Sequence, residues 1–234
     1  MTTNQQQTSE HPVHIHFLLD RSGSMAAMAP DVIGGFNGFL RNQQAHPGFG
    51  RMTLVQFDSG DPFEVLTDGL ALPHVRSLSG RTFQPRGGTP LWDAVGELII
   101  RASVRAEMRR AMGKRAEETV VAVYTDGEEN QSARFDGHSI RRLIEAKKEQ
   151  GWTFVFLGAG LDAYAEGGRI GVGVGSTQSF APDGHGARLA FSELDHHMSN
   201  FRAAGPAARQ ALKGDFFADH GKVAEADRRR RYEP

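Results

Sequence analysis

The chain has no cysteine. Disulfides, thiolate metal sites and a cysteine nucleophile are therefore excluded, and a reducing compartment is the natural fit. Net charge is nearly absent too, −1 from 27 Lys+Arg against 28 Asp+Glu. No global field draws the protein to nucleic acid or to an anionic membrane, and neither is expected as a partner. No run approaches the ~20 apolar residues of a membrane span. Residues 1–12 are polar and rich in Gln and Thr, without the basic start and apolar centre of a secretion signal. They read as a flexible tail, and the chain as cytoplasmic. Several catalytic frames are also missing. There is no Gly-x-x-x-x-Gly-Lys-Ser/Thr for a P-loop ATPase and no His-Glu-x-x-His for a zinc peptidase. No Ser-His-Asp set stands out.

What is present is an ordinary globular composition, 39% hydrophobic over 234 residues, enough for one large domain with extensions. Residues 13–19 are apolar on both faces, as a central parallel strand requires. His14 and His16 share one face of it and are expected to be partly solvated. Helical spacing follows over 25–44 (Met28, Val32, Ile33, Phe36, Phe39, Leu40). Strands are expected at 52–57 and 63–67. The turn between them is too short for a crossover helix, so this pair is an antiparallel hairpin at the sheet edge. Residues 68–88 read as a long loop. A helix is expected over 90–112, with Thr89 as N-cap and Leu91, Val95, Leu98, Ile99 and Ala102 inward. Its basic second half reads as a solvated face. Strands at 119–124, 152–157 and 176–180 alternate with helices at 139–150, 161–169 and 185–203. This alternation predicts an α/β domain over 13–203, a doubly wound, mostly parallel central sheet with one antiparallel edge strand and helices on both faces. Residues 204–234 are an extension in which Phe216 and Phe217 can dock on the domain and Arg228 to Arg231 form a solvated basic tail.

Asp20-Arg21-Ser22-Gly23-Ser24 stands where the first strand ends and a helix begins. It offers one carboxylate and two hydroxyls, hard oxygen donors suited to a small hard cation such as Mg²⁺. Sites in open α/β sheets form beyond the carboxyl ends of the strands. Two more segments reach that edge: Gly87-Gly88-Thr89-Pro90-Leu91, and Thr125-Asp126-Gly127. Singly, each residue is also a helix cap or a turn former, and Glu128 and Glu129 read as a solvated loop beside them. Jointly they supply two carboxylates and three hydroxyls.

At these residues the sequence resembles the von Willebrand factor A (vWA) domain with its metal-ion-dependent adhesion site, whose pattern is Asp-x-Ser-x-Ser, a separate Thr and a separate Asp. Asp20, Ser22, Ser24, Thr89 and Asp126 fill all five positions. The flanks Leu-Leu-Asp-Arg-Ser-Gly-Ser-Met, Gly-Gly-Thr-Pro-Leu-Trp-Asp-Ala and Tyr-Thr-Asp-Gly-Glu-Glu-Asn resemble stand-alone bacterial and phage members, although Ala159 stands where Asn is expected. The resemblance covers about 13–203 and leaves the extension unexplained. It implies a non-enzymatic module. Ser22, Ser24 and Thr89 would ligate Mg²⁺ directly, with Mn²⁺ or Ca²⁺ as alternatives. Asp20 and Asp126 would hold its waters, and an Asp or Glu of a partner protein would complete the coordination.

Two rival readings stand beside it. In one, the cation only stabilises the loops. In the other, the chain is a nucleotide-binding or phosphoester-processing enzyme, because Gly158-Ala159-Gly160-Leu161-Asp162-Ala163 follows a strand and matches a dinucleotide fingerprint. An Asp-x-Asp phosphatase is disfavoured by Ser22 at the second position.

Overall fold

The computed structural model describes residues 12–160, 162–217 and 223–233. The expected flexible tail, but for Pro12, and Leu161 at the expected start of a helix lie outside the described residues. Six strands form one sheet: β1 (Val13–Asp20), β2 (Gly50–Phe57), β3 (Glu64–Ala71), β4 (Glu118–Thr125), β5 (Thr153–Ala159) and β6 (Thr177–Phe180). Their spatial order is β3-β2-β1-β4-β5-β6. All pairs are parallel except β2–β3, which is antiparallel at the edge. The helices are α1 (Ala29–Ala45), α2 (Leu91–Ala111), α3 (Gly137–Glu149), α4 (Ala163–Arg169), α5 (Gly184–Ala203), α6 (Pro206–Leu212) and α7 (Val223–Tyr232).

Because β1 is central, it is apolar on both faces. Ile15, Phe17 and Leu19 join Phe36 and Phe39 of α1, Tyr124 of β4 and Phe191 and Phe201 of α5 in one core. Leu18 points the other way, into a second core with Leu91, Val95, Leu98 and Ile99 of α2, Ile140 and Ile144 of α3, and Phe154 and Phe156. The Phe17 and Phe191 rings lie 6.2 Å apart and Tyr124 stacks on Phe191 at 4.6 Å. Gly35 lets α1 and α5 come this close, since a Cβ there would stand 2.5 Å from the Phe191 ring. Burying each large aromatic contributes about 1.5–3 kcal/mol.

Several expectations need correction. Residues 25–44 are not one helix: a 3-10 segment, Gly23–Met28, precedes α1, and Pro30 stands in the first turn of the α-helix proper. The third strand does not stop at 67 but runs to Ala71. It passes register shifts opposite Met52 and Leu54 and a left-handed Gly69 (φ 56°). The long loop is shortened accordingly. His14 and His16 are buried, not partly solvated. Arg105, Arg109, Glu117 and Trp152 close over them, from segments more than 80 residues away in the chain. The basic second half of α2 is in part packed, with Arg109 paired to Glu117 at 2.9 Å.

The extension is packed as well. Phe216, Phe217 and Ala224 belong to the first core. The Arg228 to Arg231 run is exposed at Arg229, Arg230 and Arg231 but is not a free tail. It lies on α7, with Arg228 itself buried. Arg228 pairs with Glu233 at 2.9 Å, Arg230 with Asp227 at 2.7 Å, Arg231 with Asp183 at 2.6 Å, and Arg229 with Glu225. Charge that looks free in the sequence is thus compensated inside the chain.

Candidate metal centre

The parallel pairing of β1 with β4 brings residues more than 100 positions apart to one edge. β1 ends on Asp20 and β4 on Thr125, with Asp126 next. Asp20 is fully buried. Its Oδ1 accepts from the Ser22 backbone N–H at 2.6 Å and its Oδ2 from Thr125 Oγ1 at 2.5 Å. The Ser22 and Ser24 hydroxyls are 3.0 Å apart, and Ser24 Oγ donates to Asp126 Oδ1 at 2.7 Å. Thr89 is buried. Its Oγ1 and Asp20 Oδ2 flank Gly127, 2.8 and 3.6 Å from where a Cβ on that glycine would stand. The structure therefore brings all five sequence-predicted residues together.

Capping does not consume these hydroxyls. Ser22 is the N-cap of the 3-10 segment but makes no side-chain capping bond. The expected Thr89 cap is not formed either, because the N-cap of α2 is Pro90. Thr89 lies one residue too early, and its backbone N–H donates to Asn130 Oδ1 at 2.9 Å instead.

The three loops are sewn to one another through the backbone. Gly23 N–H donates to Gly87 O at 3.0 Å, Arg86 N–H to Arg21 O at 2.9 Å, and Asn130 N–H to Thr89 O at 3.2 Å. Gly87 has a φ of 66°, and a Cβ on it would stand 2.5 Å from Ser59 Oγ, so only glycine fits this crossing. A fourth loop, which sequence reasoning missed, braces the others. Asp58 is fully buried and takes Arg21 at 2.6 Å and Arg86 at 3.1 Å. Burial alone would raise the Asp58 carboxyl. Hydrogen bonds from the Asp61 backbone and the Arg21 side chain outweigh it and hold the group below the ordinary carboxylate range. Arg21, the unassigned second residue of the pentapeptide, thus ties the site to β2, and through Glu64 to β3. Glu129, expected to be solvated, instead accepts from the Trp92 backbone N–H at 2.8 Å and braces the first turn of α2. The available signal for Asp58 was an acid placed directly after a strand; Glu129 lies four residues beyond β4.

Electrostatics favour a cation here. Burial is the main force pushing the Asp20 carboxyl up to about 7, aided by Asp126 and opposed by its hydrogen bonds. Burial raises Asp126 also, against the Ser24 hydrogen bond. Two desolvated carboxylates at one edge resist ionising together, and a positive ion between them would reverse that. Among the described residues no cluster of three or more His, Asp and Glu side chains is built to hold a metal. A cation at this edge must use hydroxyls as well. The spacing fits: oxygens on neighbouring vertices of an octahedral Mg²⁺ shell lie about 2.9 Å apart, close to the 3.0 and 2.7 Å seen along Ser22, Ser24 and Asp126.

The glycine fingerprint after β5 lines an adjoining cavity of about 150 Å³ that shares Asp126 with the candidate site and adds Glu128, Asp162 and Glu166. Four carboxylates oppose a phosphate, and the Gly160 N–H already donates to Phe180 O at 2.9 Å.

No protein-family model and no curated protein sequence matches the chain. Solved structures do share its fold. A von Willebrand factor type A protein from Catenulispora acidiphila superposes with a TM-score of 0.52 at 13% identity, over 81% of this chain and 43% of that one. The pilus adhesin SpaC from Lactobacillus rhamnosus GG gives 0.59 at 13% identity, over 81% and 31%. Proximal thread matrix protein 1 from the mussel byssus gives 0.54 at 15% identity, over 78% and 47%. The chain spans less than half the length of each. At these identities the likeness is one of fold: a six-stranded, mostly parallel sheet with an antiparallel edge pair and helices on both faces, as in vWA domains.

Proposed function

We propose that this vWA-like domain is a metal-dependent protein-binding module, not an enzyme, and that Asp20, Ser22, Ser24, Thr89 and Asp126 hold a Mg²⁺ through which an Asp or Glu of a partner protein is captured. The observation that carries this reading is the oxygen chain Ser22–Ser24–Asp126, whose spacing suits a small octahedral cation while none of the hydroxyls is used for capping. When bound, the ion supplies a Lewis-acid position that a carboxylate can fill. The residues of the chain do the rest. Ser22, Ser24 and Thr89 present neutral oxygens, which leave the ion its positive charge. Asp20, held by Thr125 and Ser22, and Asp126, held by Ser24, orient what surrounds it. Among the described residues no helix is long and apolar enough to cross a membrane. The proposed compartment is the cytoplasm, and the proposed wider group is the stand-alone bacterial and phage type.

The rival in which the cation is only structural is separated from this one by recruitment. Affinity capture from host lysate is run with Mg²⁺, with EDTA, and with Asp20→Ala. The expected result is a protein retained only by the wild type with Mg²⁺, and released by adding free glutamate-rich peptide. An unchanged set of retained proteins in all three arms would leave the ion a structural role only. Turnover of a phosphoester or nucleotide that disappears in Asp126→Ala would make the chain an enzyme instead.

A further inference from the structure

Toward the opposite end of the sheet, with His16 four residues of strand or about 13 Å from Asp20, the starts of β1, β4 and β5 surround a cavity of about 250 Å³. We infer that this cavity is a binding site for a phosphate group, free or carried on an ester, held by Arg105, Arg109, Arg110, Lys114 and Arg115 over the buried imidazole of His16. The first observation is charge. Arg110, Lys114 and Arg115 line the cavity and form no ion pair among the described residues. Arg105 has one ion pair, with an exposed Asp68 at 3.9 Å, and donates to Gly69 O at 3.3 Å. The acids present are already engaged: Glu117 by Arg51, Arg109 and His14, and Glu118 by Lys213. The lining thus has a clear cationic excess, on a chain whose overall charge is −1.

The second observation is independent of charge. His16 is 3% exposed and its Nδ1 has no hydrogen-bond partner, nor have the buried Nε atoms of Arg105 and Arg109. Buried donors are almost always satisfied, and each orphan costs about 1–3 kcal/mol. The two guanidinium N–H donors line one cavity with the unpartnered His16 nitrogen, which joins them as a donor in its Nδ1–H tautomer, and together they suit an acceptor-rich group. The neighbouring His14 shows what satisfaction looks like here. It stacks on His16 at 3.9 Å, and its two ring nitrogens meet Thr53 Oγ1 at 2.9 Å and Glu117 at 3.4 Å. A phosphate presents several acceptor oxygens to donors from different directions, and guanidinium groups match it in pairs. The donors come from α2, from the turn after it and from β1, so a bound anion would fasten the helix end to the sheet.

Thermal unfolding in EDTA tests this, with phosphate replacing chloride at constant ionic strength. Inorganic phosphate and glycerol 3-phosphate are used in separate arms, to tell a free ion from an ester. At ten times the dissociation constant the midpoint is expected to rise by about 3–5 °C. The His16 ring nitrogens should shift in NMR spectra at the same concentration. The triple variant Arg110→Ala, Lys114→Ala, Arg115→Ala changes exposed side chains only and should lose at least three quarters of the rise. A charge-matched control, Arg76→Ala, Arg81→Ala, Arg142→Ala, should keep it. No rise over chloride, a rise retained by the first triple variant, or an equal loss in the control would each overturn the site.

Discussion

If the Asp20 carboxylate is held in place against its own desolvation, neutralising it should strengthen the metal-free protein. The perturbation is Asp20→Asn, close in shape and without charge. A carboxyl whose folded pKa stands above its unfolded value adds stability at low pH and loses it as pH rises through the folded value. For Asp20 the window runs from the ordinary 3.8 to about 7. At about 1.4 kcal/mol per pH unit, the carboxylate costs metal-free protein at most about 4 kcal/mol above neutrality. Asparagine cannot accept from both Thr125 and the Ser22 backbone as the carboxylate does. The lost bond takes back about 1–1.5 kcal/mol. The variant should therefore be about 2–3 kcal/mol more stable than wild type in EDTA at pH 8, a rise in midpoint of about 4–10 °C for a chain of this size. At pH 4 the gain should vanish, since wild type is then protonated. In saturating Mg²⁺ the order should reverse, because only the wild type gains from binding. Calorimetry at two pH values, with and without Mg²⁺, reads all of this. A variant less stable than wild type in EDTA at both pH values would refute the reasoning, since the carboxylate would then be satisfied without any cation.

Asp58→Ala leaves the buried Arg21 guanidinium short of its main counter-charge and should cost about 3–5 kcal/mol in urea unfolding; a loss below 1 kcal/mol would mean that Glu64 and Gln56 suffice. Gly87→Ala forces a side chain onto a left-handed backbone against Ser59 and displaces the Thr89 loop. It should weaken Mn²⁺ binding, followed by electron paramagnetic resonance, by at least about tenfold, and unchanged binding would detach Thr89 from the site. Phe216→Ala should cost about 3–5 kcal/mol in a single cooperative transition. An early separate transition would make the extension an independent layer on the domain.

The fold was legible in the sequence where hydrophobic period and chain order agree. β1, α2 and α3 have clean patterns, and the strand–helix alternation leaves few topologies. That the five candidate residues would meet at one edge was legible because each stands at a strand end or a helix start. Less legible was whatever depends on partners distant in the chain. His14 and His16 look like a partly solvated face until Glu117 and Trp152 arrive. The Arg228 to Arg231 run looks free until α7 turns it toward Asp183 and Asp227. β3 outran its predicted end because its pairing with β2 continues through Gly69, which local propensity reads as a break. Asp58 stands in the short turn between β2 and β3, and nothing local showed that Arg21 would be buried against it.

The position of the candidate site on β1 has a mechanical consequence. β1 is the middle strand, hydrogen-bonded in parallel along its whole length to β2 on one side and β4 on the other. A tug on anything gripped at Asp20 pulls β1 along its own axis. Both ladders are then loaded in shear, so their bonds must give way together and not one after another, as they would if an edge strand were peeled. Asp126 hands part of the same load to β4, and the Arg21–Asp58 pair hands part to β2. A grip at this edge would therefore be anchored in the portion of the molecule most resistant to stretching, with the load divided among three adjacent strands.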